Sequence, residues 1–407
     1  MHGLEATTPR PPIDLLSPEF YGDLEGMHEA FTWMRANEPV YRCETSQMWG
    51  VTRHADVLDV EHRSEVFSSA GSYRSLQNLG EDNMIAQDDP GHLNQRRLIA
   101  RRFTPKAVKA TEEVTVGIID DLVAAFTAGV APGQRGRMEA VTALAAALPA
   151  RLTAHLLGFP EETWPEIRSW SERLMRYDSV PHDEAIAADF LAAIGEFVAV
   201  LQATAAERRE CPAEDLVSAW VQGEANGCPM DESKMVNETG LLISGGAETT
   251  RTVIARSLMV FAEHPDQWEA LYEDRSRIPA AVEEMIRWVT PLNNMFRVAT
   301  RDAELAGTAI QAGDRLALLY PSANRDEAVF TDPFTFDTRR SPNPQIAFGF
   351  GTHFCLGASL ARLELRLLME TLVATITDLE VLAPPEIEPN IFVGAVRNLE
   401  IGFRRRG

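Results

Sequence analysis

The sequence predicts one large, mostly α-helical domain with minor β-sheets, and three observations support this fold class. First, residues 111–209 place apolar side chains at helical spacing in several consecutive segments. Second, residues 232–263 contain no proline, follow a good helix N-cap at Asp231 and end shortly before a proline. At about 1.5 Å per residue they predict a helix of roughly 48 Å, long enough to cross the whole molecule. Third, no linker, repeat or low-complexity tract divides the 407 residues.

The N-terminal part of the chain mixes short strands and helices. Residues 1–14 have the composition of a flexible leader, so the domain is expected to cover residues 15–407. Residues 41–42 and 48–51 predict two strands joined by a polar turn, and residues 54–62 predict a helix. This mixture is the source of the expected minor sheets.

Composition excludes several classes of protein. With 38 basic and 60 acidic residues the formal net charge is −22, which repels nucleic acid and anionic membrane surfaces. No run of 18 apolar residues and no signal-peptide pattern is present, so we expect no membrane anchor. The spacing of the cysteines suits neither a zinc site nor a disulfide framework, and a cytoplasmic location is expected. The four cysteines stand at positions 43, 211, 228 and 355.

One cysteine lies in a segment that suits metal binding. Residues 348–362 read FGFGTHFCLGASLAR, with Cys355 between glycines and a helix-forming run directly after it. The glycines allow the backbone to approach a flat, bulky group closely. The first amides of the following helix point toward the sulfur and are expected to lower its pKa. A lone cysteine is more often a small buried apolar residue, so the surrounding motif decides its role.

The motif Phe-Gly-x-Gly-x-His-x-Cys-x-Gly, followed by Ala and Arg, resembles the haem-binding loop of the cytochrome P-450 family. The resemblance implies that the Cys355 thiolate ligates the iron of haem b. It also implies a fold in which a long central helix lies over the haem and the Cys loop lies beneath it. Within the loop, the residues implied to contact the haem are Phe348, Gly349, Gly357 and Ala361.

The same resemblance extends to groups that hold the haem propionates. His92 and Arg96 lie four residues apart, on one face of a helix that opens after Asp89-Pro90. A pair with this spacing is usually solvated surface, but at this position the family uses it to bind a propionate. Arg297 and His353 match two further propionate donors.

The middle of the long helix carries the sequence GGAETT at residues 245–250. Two adjacent glycines weaken a helix by about 1 kcal/mol each but leave room for a flat ligand. Close helix packing beside an ordinary polar pair is the alternative explanation. With the Cys loop present, the segment resembles the oxygen-activating helix of the family. The resemblance implies that Thr249 hydrogen-bonds the dioxygen and that Glu248 relays protons toward it.

A structural ion network is expected behind the Cys loop. Glu284 and Arg287 lie three residues apart on one predicted helix face and can pair. The family resemblance implies a buried triad, completed by an arginine that precedes the Cys motif. Arg340 fits that position best, and Arg339 is the alternative.

The substrate pocket is predicted with less direct support. The family places it beneath the irregular segment 67–89, beside the long helix and next to a turn near the C-terminus, with residues 170–190 as lid helices. Packing under the loop or within strands is the alternative for each residue, and His155 is expected to be a buried core histidine. The candidates are Leu76, Leu79, Met84, Ile85, Leu242, Gly245, Leu292, Asn293, Met295, Ile391, Phe392 and Val393.

A cluster of basic residues stands out in this acidic chain. It is either a solvated charged face or a docking surface for an acidic electron donor, whose association it would accelerate. The family receives electrons on this side of the haem, so the resemblance implies docking of a ferredoxin, itself reduced by a ferredoxin reductase. The cluster consists of Arg96, Arg97, Arg101, Arg102, Lys106 and Lys109.

Together these segments predict a monooxygenase that inserts one atom of O2 into an unactivated C–H bond of a hydrophobic substrate. Residues 84–98, 293–310 and the Cys loop resemble actinobacterial enzymes that hydroxylate the terminal carbon of the cholesterol or cholestenone side chain. A hydroxylase of a macrolide or terpenoid secondary metabolite is the alternative substrate assignment. A non-catalytic haem sensor is the alternative class, and the intact Glu248-Thr249 pair disfavours it.

Overall fold

The computed structural model describes residues 10–71, 73–76, 80–225 and 230–407. These residues form helices and strands in an order that places most of the β-structure near the two ends of the chain. The helices are Pro18–Gly22 (α1), Leu24–Asn37 (α2), His54–His62 (α3), Gly91–Ile99 (α4), Pro105–Ala110 (α5), Glu112–Phe126 (α6), Ala147–Leu157 (α7), Trp164–Leu174 (α8), Glu184–Glu210 (α9), Leu216–Ala225 (α10), Glu232–Glu263 (α11), Pro265–Glu273 (α12), Ile278–Val289 (α13), Tyr320–Ala323 (α14) and Ala358–Thr375 (α15). The strands are Val40–Cys43 (β1), Met48–Val51 (β2), Phe67–Ser68 (β3), Arg135–Glu139 (β4), Met295–Ala299 (β5), Ala303–Leu305 (β6), Thr308–Ile310 (β7), Arg315–Leu318 (β8), Ile376–Val381 (β9), Glu386–Ile387 (β10), Val396–Asn398 (β11) and Glu400–Arg405 (β12).

Helix α11 is the central element of the fold. Asp231 caps it as predicted, since its carboxylate accepts a hydrogen bond from the Lys234 amide at 2.9 Å. It packs against the helices α7, α8, α9, α12, α13 and α15 and against strand β9. Burial on both sides stabilises the helix enough to tolerate Gly245 and Gly246 in its middle. The predicted helix of 32 residues is confirmed with the same ends.

The β-structure forms four small sheets. The largest has the strand order β1-β2-β8-β5-β3, in which β2 and β8 are parallel and the other pairs are antiparallel. The predicted β1–β2 hairpin is therefore part of it. A second sheet joins β4, β12 and β9, and two hairpins are formed by β6–β7 and β10–β11. Within the described part of the chain, no helix is both long and apolar enough to cross a membrane.

His155 and the N-terminal residues differ in how well they match the expectations from the sequence. His155 is exposed, because it lies on the outer face of α7, so the prediction of a core histidine is wrong. Helix α7 ends at Leu157, and the glycine that follows, Gly158, adopts φ +80°. Of the expected leader, residues 1–9 lie outside the described part of the chain. Ile13 is buried, and the carbonyl of Pro11 accepts a hydrogen bond from the Tyr41 hydroxyl at 3.0 Å.

The irregular segment 67–89 lies over the N-terminal half of α11 and is attached to it. The Met84 amide donates to Glu238 Oε1 at 2.6 Å, and the Asp82 amide donates to Asn237 Oδ1 at 3.1 Å. Asn83 caps the short 3-10 turn Met84–Ala86 through its side chain. These bonds fix residues 82–86 of the segment beside α11.

Candidate active site

A cavity of ≈ 260 Å³ lies between α11 and the Cys loop. Helix α11 contributes Gly245 and Thr249 to one side. The loop and the start of α15 contribute Cys355 and Gly357 to the other side. The two segments singled out most strongly in the sequence therefore face one space.

Two glycines shape the Cys loop in a way that other residues could not. Gly349 and Gly351 have φ values of +69° and +66°, in the left-handed region that disfavours side chains. A Cβ on Gly351 would also lie 2.8 Å from the carbonyl oxygen of Glu61, which is closer than atoms tolerate. The Cys355 amide closes the loop by donating to the Phe348 carbonyl at 2.9 Å.

The electrostatic surroundings of the thiol differ from the expectation. Burial raises the pKa of Cys355 above its ordinary value in the protein alone. The amides of Gly357 and Ala358, with Arg96 and Arg362, act in the opposite direction but do not outweigh burial. The predicted effect of the helix amides is present, but burial outweighs it, so the pKa of the thiol by itself lies above its ordinary value. Coordination by a metal cation deprotonates a thiol outright, and these groups then stabilise the thiolate.

Glycines leave open space on both sides of the cavity. A Cβ built on Gly357 would meet no atom within 4 Å, and the same holds for Gly245 on the opposite side. Both glycines thus leave room toward the cavity rather than toward packed protein. Phe348, Gly349 and Ala361 also line this space, as predicted residues beside the haem.

Hydrogen-bond donors converge at one edge of the cavity. His92 and His353 contact each other with ring centroids 4.4 Å apart and ring planes tilted by 53°, and Arg96 and Arg297 line the cavity beside them. The pKa of His353 is lowered to about 3 by burial and by the neighbouring Arg297, His92 and Arg96. His92 is 1% exposed, and its Nε2 has no hydrogen-bond partner within the described residues. Arg96 and Arg297 make this edge positive, and the two histidines add neutral ring N–H donors, so the edge would accept carboxylates.

The residues present therefore fit a haem. A single half-buried cysteine can supply one soft axial ligand, and the glycine-lined gap can admit the planar ring. The donors at the edge can bind two propionates, and the unpartnered His92 Nε2 is one buried atom that such a carboxylate would satisfy. Among the described residues no group of three or more His, Cys, Asp or Glu side chains could hold another metal ion.

The acid and the hydroxyl of α11 point in different directions. Thr249 lines the cavity, and its Oγ1 donates to the Gly245 carbonyl at 2.7 Å. Glu248 is 1% exposed and does not line the cavity. Its carboxylate is held by Arg397 Nη1 at 3.0 Å and Arg251 Nη1 at 3.3 Å. Glu248 and Thr249 are therefore adjacent on the helix, but their side chains do not contact each other.

Glu248 belongs to an ion cluster that continues toward the surface. Arg251 also contacts Glu172 on α8, with Nη1 and Oε1 2.5 Å apart. Arg397 on β11 contacts Glu388 through Nε. Exposure of the side chains rises along this path, from 1% for Glu248 to 11% for Arg397 and 21% for Glu388. The cluster ties α11, α8 and the C-terminal strands together beside the site.

The walls of the cavity contain most of the predicted pocket residues. Those that line it are Met84, Ile85, Leu242, Gly245, Leu292, Met295 and Phe392. Leu79 lies outside the described residues. The structure turns four other candidates away from the cavity: Leu76, Asn293, Ile391 and Val393.

Each of these four has a different position from the one expected. Asn293 Nδ2 donates to the Asn390 carbonyl at 3.0 Å and so ties the strand to the C-terminal turn. Ile391 packs into the N-terminal apolar cluster, and Val393 is fully buried in a second cluster behind the cavity wall. Leu76 is half-buried, and Arg74 from the same segment lines the cavity instead.

The three residues of the expected ion network lie together behind the Cys loop. Glu284 and Arg287 are both 0% exposed and form a two-pronged pair at 2.7 and 2.8 Å. Arg340 Nε reaches Glu284 at 3.1 Å, whereas Arg339 is exposed and pairs with Asp337. Of the two alternatives, Arg340 occupies the network position.

Sequence reasoning missed several polar residues at the cavity. Glu61 and Tyr320 line it, with the Tyr320 hydroxyl 2.7 Å from Glu61 Oε1, and Arg297 approaches the same oxygen at 3.8 Å. Glu364 lines it as well, and burial raises its pKa to about 8. Glu61 is the last residue but one of helix α3, and Glu364 lies three residues beyond Ala361 on α15, so helical spacing from a predicted haem contact pointed to Glu364 only.

Comparisons with known proteins agree with this site. The family model described as cytochrome P-450 matches residues 17–390. Steroid C26-monooxygenase of Mycobacterium tuberculosis is 39% identical over 402 residues, covering 97% of this chain and 98% of that protein. A solved Bacillus megaterium P-450 in complex with testosterone has a TM-score of 0.84 and 27% identity, covering 96% of this chain and 100% of that one. A Mycobacterium marinum P-450 in complex with pseudoionone has a TM-score of 0.87 and 30% identity, covering 97% and 99%.

A glycine-shaped loop that presents one cysteine to a cavity beneath a long helix, with arginine and histidine donors at one edge, fits a haem-thiolate protein. The family model and the relatives extend that conclusion to the whole chain, which belongs to the cytochrome P-450 family. It is therefore a haem b-dependent monooxygenase that uses O2 and a hydrophobic substrate.

Proposed function

We propose that this monooxygenase hydroxylates the terminal carbon of a steroid side chain, with cholesterol or cholest-4-en-3-one as substrate. The observation that carries the proposal is the similarity over nearly the whole chain to a relative named steroid C26-monooxygenase. The apolar walls supplied by Met84, Leu242, Leu292 and Phe392 suit a large hydrophobic molecule.

The proposed roles of the cofactor-binding residues follow from their placement. Cys355 would supply the thiolate ligand of the haem iron, and the amides of Gly357 and Ala358 orient toward its sulfur. Arg96, Arg297, His92 and His353 would hold the propionates of the haem, because all four line the same edge of the cavity. The bound haem supplies the activation of O2 and the insertion of oxygen into the C–H bond.

The chain itself must deliver protons while excluding bulk water. Thr249 Oγ1 lies at the cavity surface and bonds the Gly245 carbonyl, so it can exchange that bond for one to a ligand. Glu248 is held away from the cavity by Arg251 and Arg397. We assign Glu248 as the carboxylate that passes protons inward when it leaves these arginines, and Thr249 as the hydroxyl that positions the last donor.

The electron donors are proposed to be a ferredoxin and its reductase. Arg97, Arg101, Lys106 and Lys109 are exposed on one stretch of α4 and α5, while Arg102 pairs with Glu214. Arg96 links this stretch to the Cys loop, because its Nη2 donates to the Phe354 carbonyl at 2.7 Å. An acidic donor steered to these side chains would dock beside the cysteine loop.

Charge reversal tests this docking surface. Arg101→Glu with Lys106→Glu is expected to raise the KM for the ferredoxin several-fold at low salt and to weaken its salt dependence, because steering is electrostatic. Arg135→Glu, on the exposed strand β4, is the matched control and should leave the KM unchanged. Equal effects of both changes would contradict the assignment of the surface.

The substrate is tested with the haem-loaded enzyme. Cholest-4-en-3-one at micromolar concentration is expected to shift the haem from low to high spin, and turnover should yield the side-chain alcohol by mass spectrometry. A terpenoid is the second candidate substrate, because one structural neighbour was solved in complex with pseudoionone. A response to terpenoids or macrolactones without any response to the steroid would replace the steroid assignment. Spectral binding without any oxidised product from either class would instead support a haem sensor.

A further inference from the structure

Arg74 is a buried cation in the otherwise apolar roof of the cavity. It is 5% exposed, lines the cavity, and lies in a segment from which the sequence predicted only apolar contacts. Burying a charge is costly unless partners satisfy it, so an arginine at this position requires a physical reason.

The partners of the guanidinium satisfy only part of it. Its carbon lies over three aromatic rings, 5.6 Å from Tyr73, 5.0 Å from Tyr177 and 4.8 Å from Phe392. Nε donates to the Tyr73 hydroxyl at 3.3 Å, and Nη1 makes a long bond of 3.4 Å to the Leu174 carbonyl. Among the described residues, Nη2 has no hydrogen-bond partner, and no carboxylate lies within 4 Å of the guanidinium.

The backbone around Arg74 is held firmly, so the group is pre-organised. The Phe296 amide on β5 donates to the Tyr73 carbonyl at 3.0 Å. Arg315 Nη2 on β8 donates to the Ser75 carbonyl at 2.5 Å, and the Ser75 hydroxyl donates to Asp178. These anchors fix the segment against the five-stranded sheet on one side and the residues after α8 on the other. A donor held in this way loses little freedom when it binds a ligand.

The neighbouring charges select the kind of ligand. Asp178 and Glu81 lie within electrostatic range of Arg74. Burial acts to lower the pKa of Arg74, but Tyr73, Glu81 and Asp178 outweigh it, and the group stays charged. Two nearby carboxyl groups already balance the positive charge, so a further anion is disfavoured. A neutral oxygen, as in a ketone or hydroxyl, is the acceptor that this environment suits.

The position of Arg74 selects the end of the substrate. Its contacts are with the loop, with Leu174 and Tyr177 beyond the cavity roof, and with Phe392 of the C-terminal turn. None of these partners belongs to the Cys loop or to the GGAETT segment of α11. We infer that Arg74 Nη2 donates a hydrogen bond to a neutral oxygen at the end of the substrate remote from the oxidised carbon. The inference rests on the proposed function, in which that oxygen is the 3-oxo or 3-hydroxyl group of the steroid.

A matched pair of ligands tests the inference on the haem-loaded enzyme. Dissociation constants for cholest-4-en-3-one and for cholest-4-ene, which lacks the oxygen, are measured by titration calorimetry. A hydrogen bond from a charged donor predicts that the unmodified enzyme prefers the ketone by about tenfold or more. Arg74→Met should remove that preference, because it retains the apolar stem but no donor. Equal affinity of the unmodified enzyme for both ligands would overturn the inference, whatever the variant does.

Ser75→Ala is the matched control for a purely structural role. It removes the hydroxyl that bonds Asp178 in the same segment and leaves the guanidinium intact. It should weaken both ligands alike and keep the ratio of their dissociation constants. If Arg74→Met likewise keeps the ratio, Arg74 only supports the roof and the inference fails. If cholesteryl sulfate binds more tightly than cholesterol, the requirement for a neutral acceptor fails.

A second ligand pair separates this inference from the steroid proposal. If neither steroid binds, pseudoionone and the hydrocarbon that lacks its carbonyl are compared in the same three proteins. If the unmodified enzyme prefers pseudoionone to its hydrocarbon and Arg74→Met abolishes that preference, the Arg74 assignment stands and the steroid is rejected as the substrate. The absence of a ketone preference in both pairs overturns the Arg74 assignment. Arg74→Gln, which keeps one neutral donor, should retain part of the preference and replaces the methionine variant if that one does not fold.

Discussion

Replacing Arg340 by glutamine should destabilise the enzyme far more than the same change at Arg339. Arg340 has a side chain that is 9% exposed and contacts Glu284, which is 0% exposed. Its two terminal nitrogens also donate to the carbonyls of Thr331, Asp332 and Thr335 at 2.7–3.1 Å. Arg339 is 72% exposed and pairs only with Asp337 at 3.3 Å. The two adjacent arginines thus form a matched pair.

The magnitude follows from burial. Removing one partner of a buried ion pair costs about 3–5 kcal/mol. Arg340→Gln leaves Glu284 paired with Arg287, but it removes the second cation at this buried carboxylate and the donors to three carbonyls. An exposed pair contributes about 0–1 kcal/mol. An unfolding entropy of about 2.1 cal/mol/K per residue over 407 residues gives roughly 0.85 kcal/mol/K. Arg340→Gln should therefore lower the Tm by about 3.5–6 °C, and Arg339→Gln by about 1 °C or less.

The assay is thermal unfolding followed by far-ultraviolet circular dichroism at equal haem content. Because the network lies behind the Cys loop, Arg340→Gln should also release haem earlier on heating, seen as loss of the Soret band before loss of helix. Equal Tm values for the two variants would refute the view that Glu284, Arg287 and Arg340 act as one buried network.

Two further predictions concern the central helix. Thr249→Ala should keep the steroid-induced spin shift but divert reducing equivalents to hydrogen peroxide, measured as product formed per electron pair consumed. Thr252→Ala is the control and should not divert them, because its buried hydroxyl donates to the Glu248 carbonyl. Unchanged coupling in Thr249→Ala would contradict the assigned role of its hydroxyl. Burial raises the pKa of Glu238 from 4.5 to about 8, so the folded protein retains a proton that the unfolded chain has released, and stability falls as pH rises through this interval. Glu238→Gln should remove this pH-dependent loss of stability, so the Tm of the variant relative to that of the unmodified enzyme should rise from pH 5 to pH 8. A Tm difference independent of pH would contradict the prediction.

The sequence predicted those elements whose signals are local. The cap at Asp231 and the following proline-free run defined both ends of α11, and alternation defined the β1–β2 hairpin. It did not predict β4, whose residues RGRME lack alternation and are charged. This strand exists because β12, some 260 residues later, offers it a partner at Arg135↔Arg404. Long-range pairing of this kind leaves no mark in the local pattern.

The site shows the same division. The Cys loop, Thr249 and the propionate-side donors line one cavity because each belongs to a motif with a defined spacing. Asn293, Ile391 and Val393 were assigned because the family resemblance places their segments beside the cavity, and such a resemblance does not say which side chains of a segment face inward. Arg74 lies in an irregular segment, where no period distinguishes an inward-facing arginine from a solvated one.

The central claim is that Cys355 is the thiolate ligand of a catalytic haem, and the reduced, CO-bound absorption spectrum tests it most directly. The unmodified enzyme is expected to show the red-shifted Soret band that a thiolate ligand produces. Cys355→His should still bind haem in the glycine-lined gap but lose that shift, and Cys211→Ser, on the exposed surface, should keep it. A Soret band without the red shift in the unmodified enzyme, or an unchanged red shift in Cys355→His, would contradict the account.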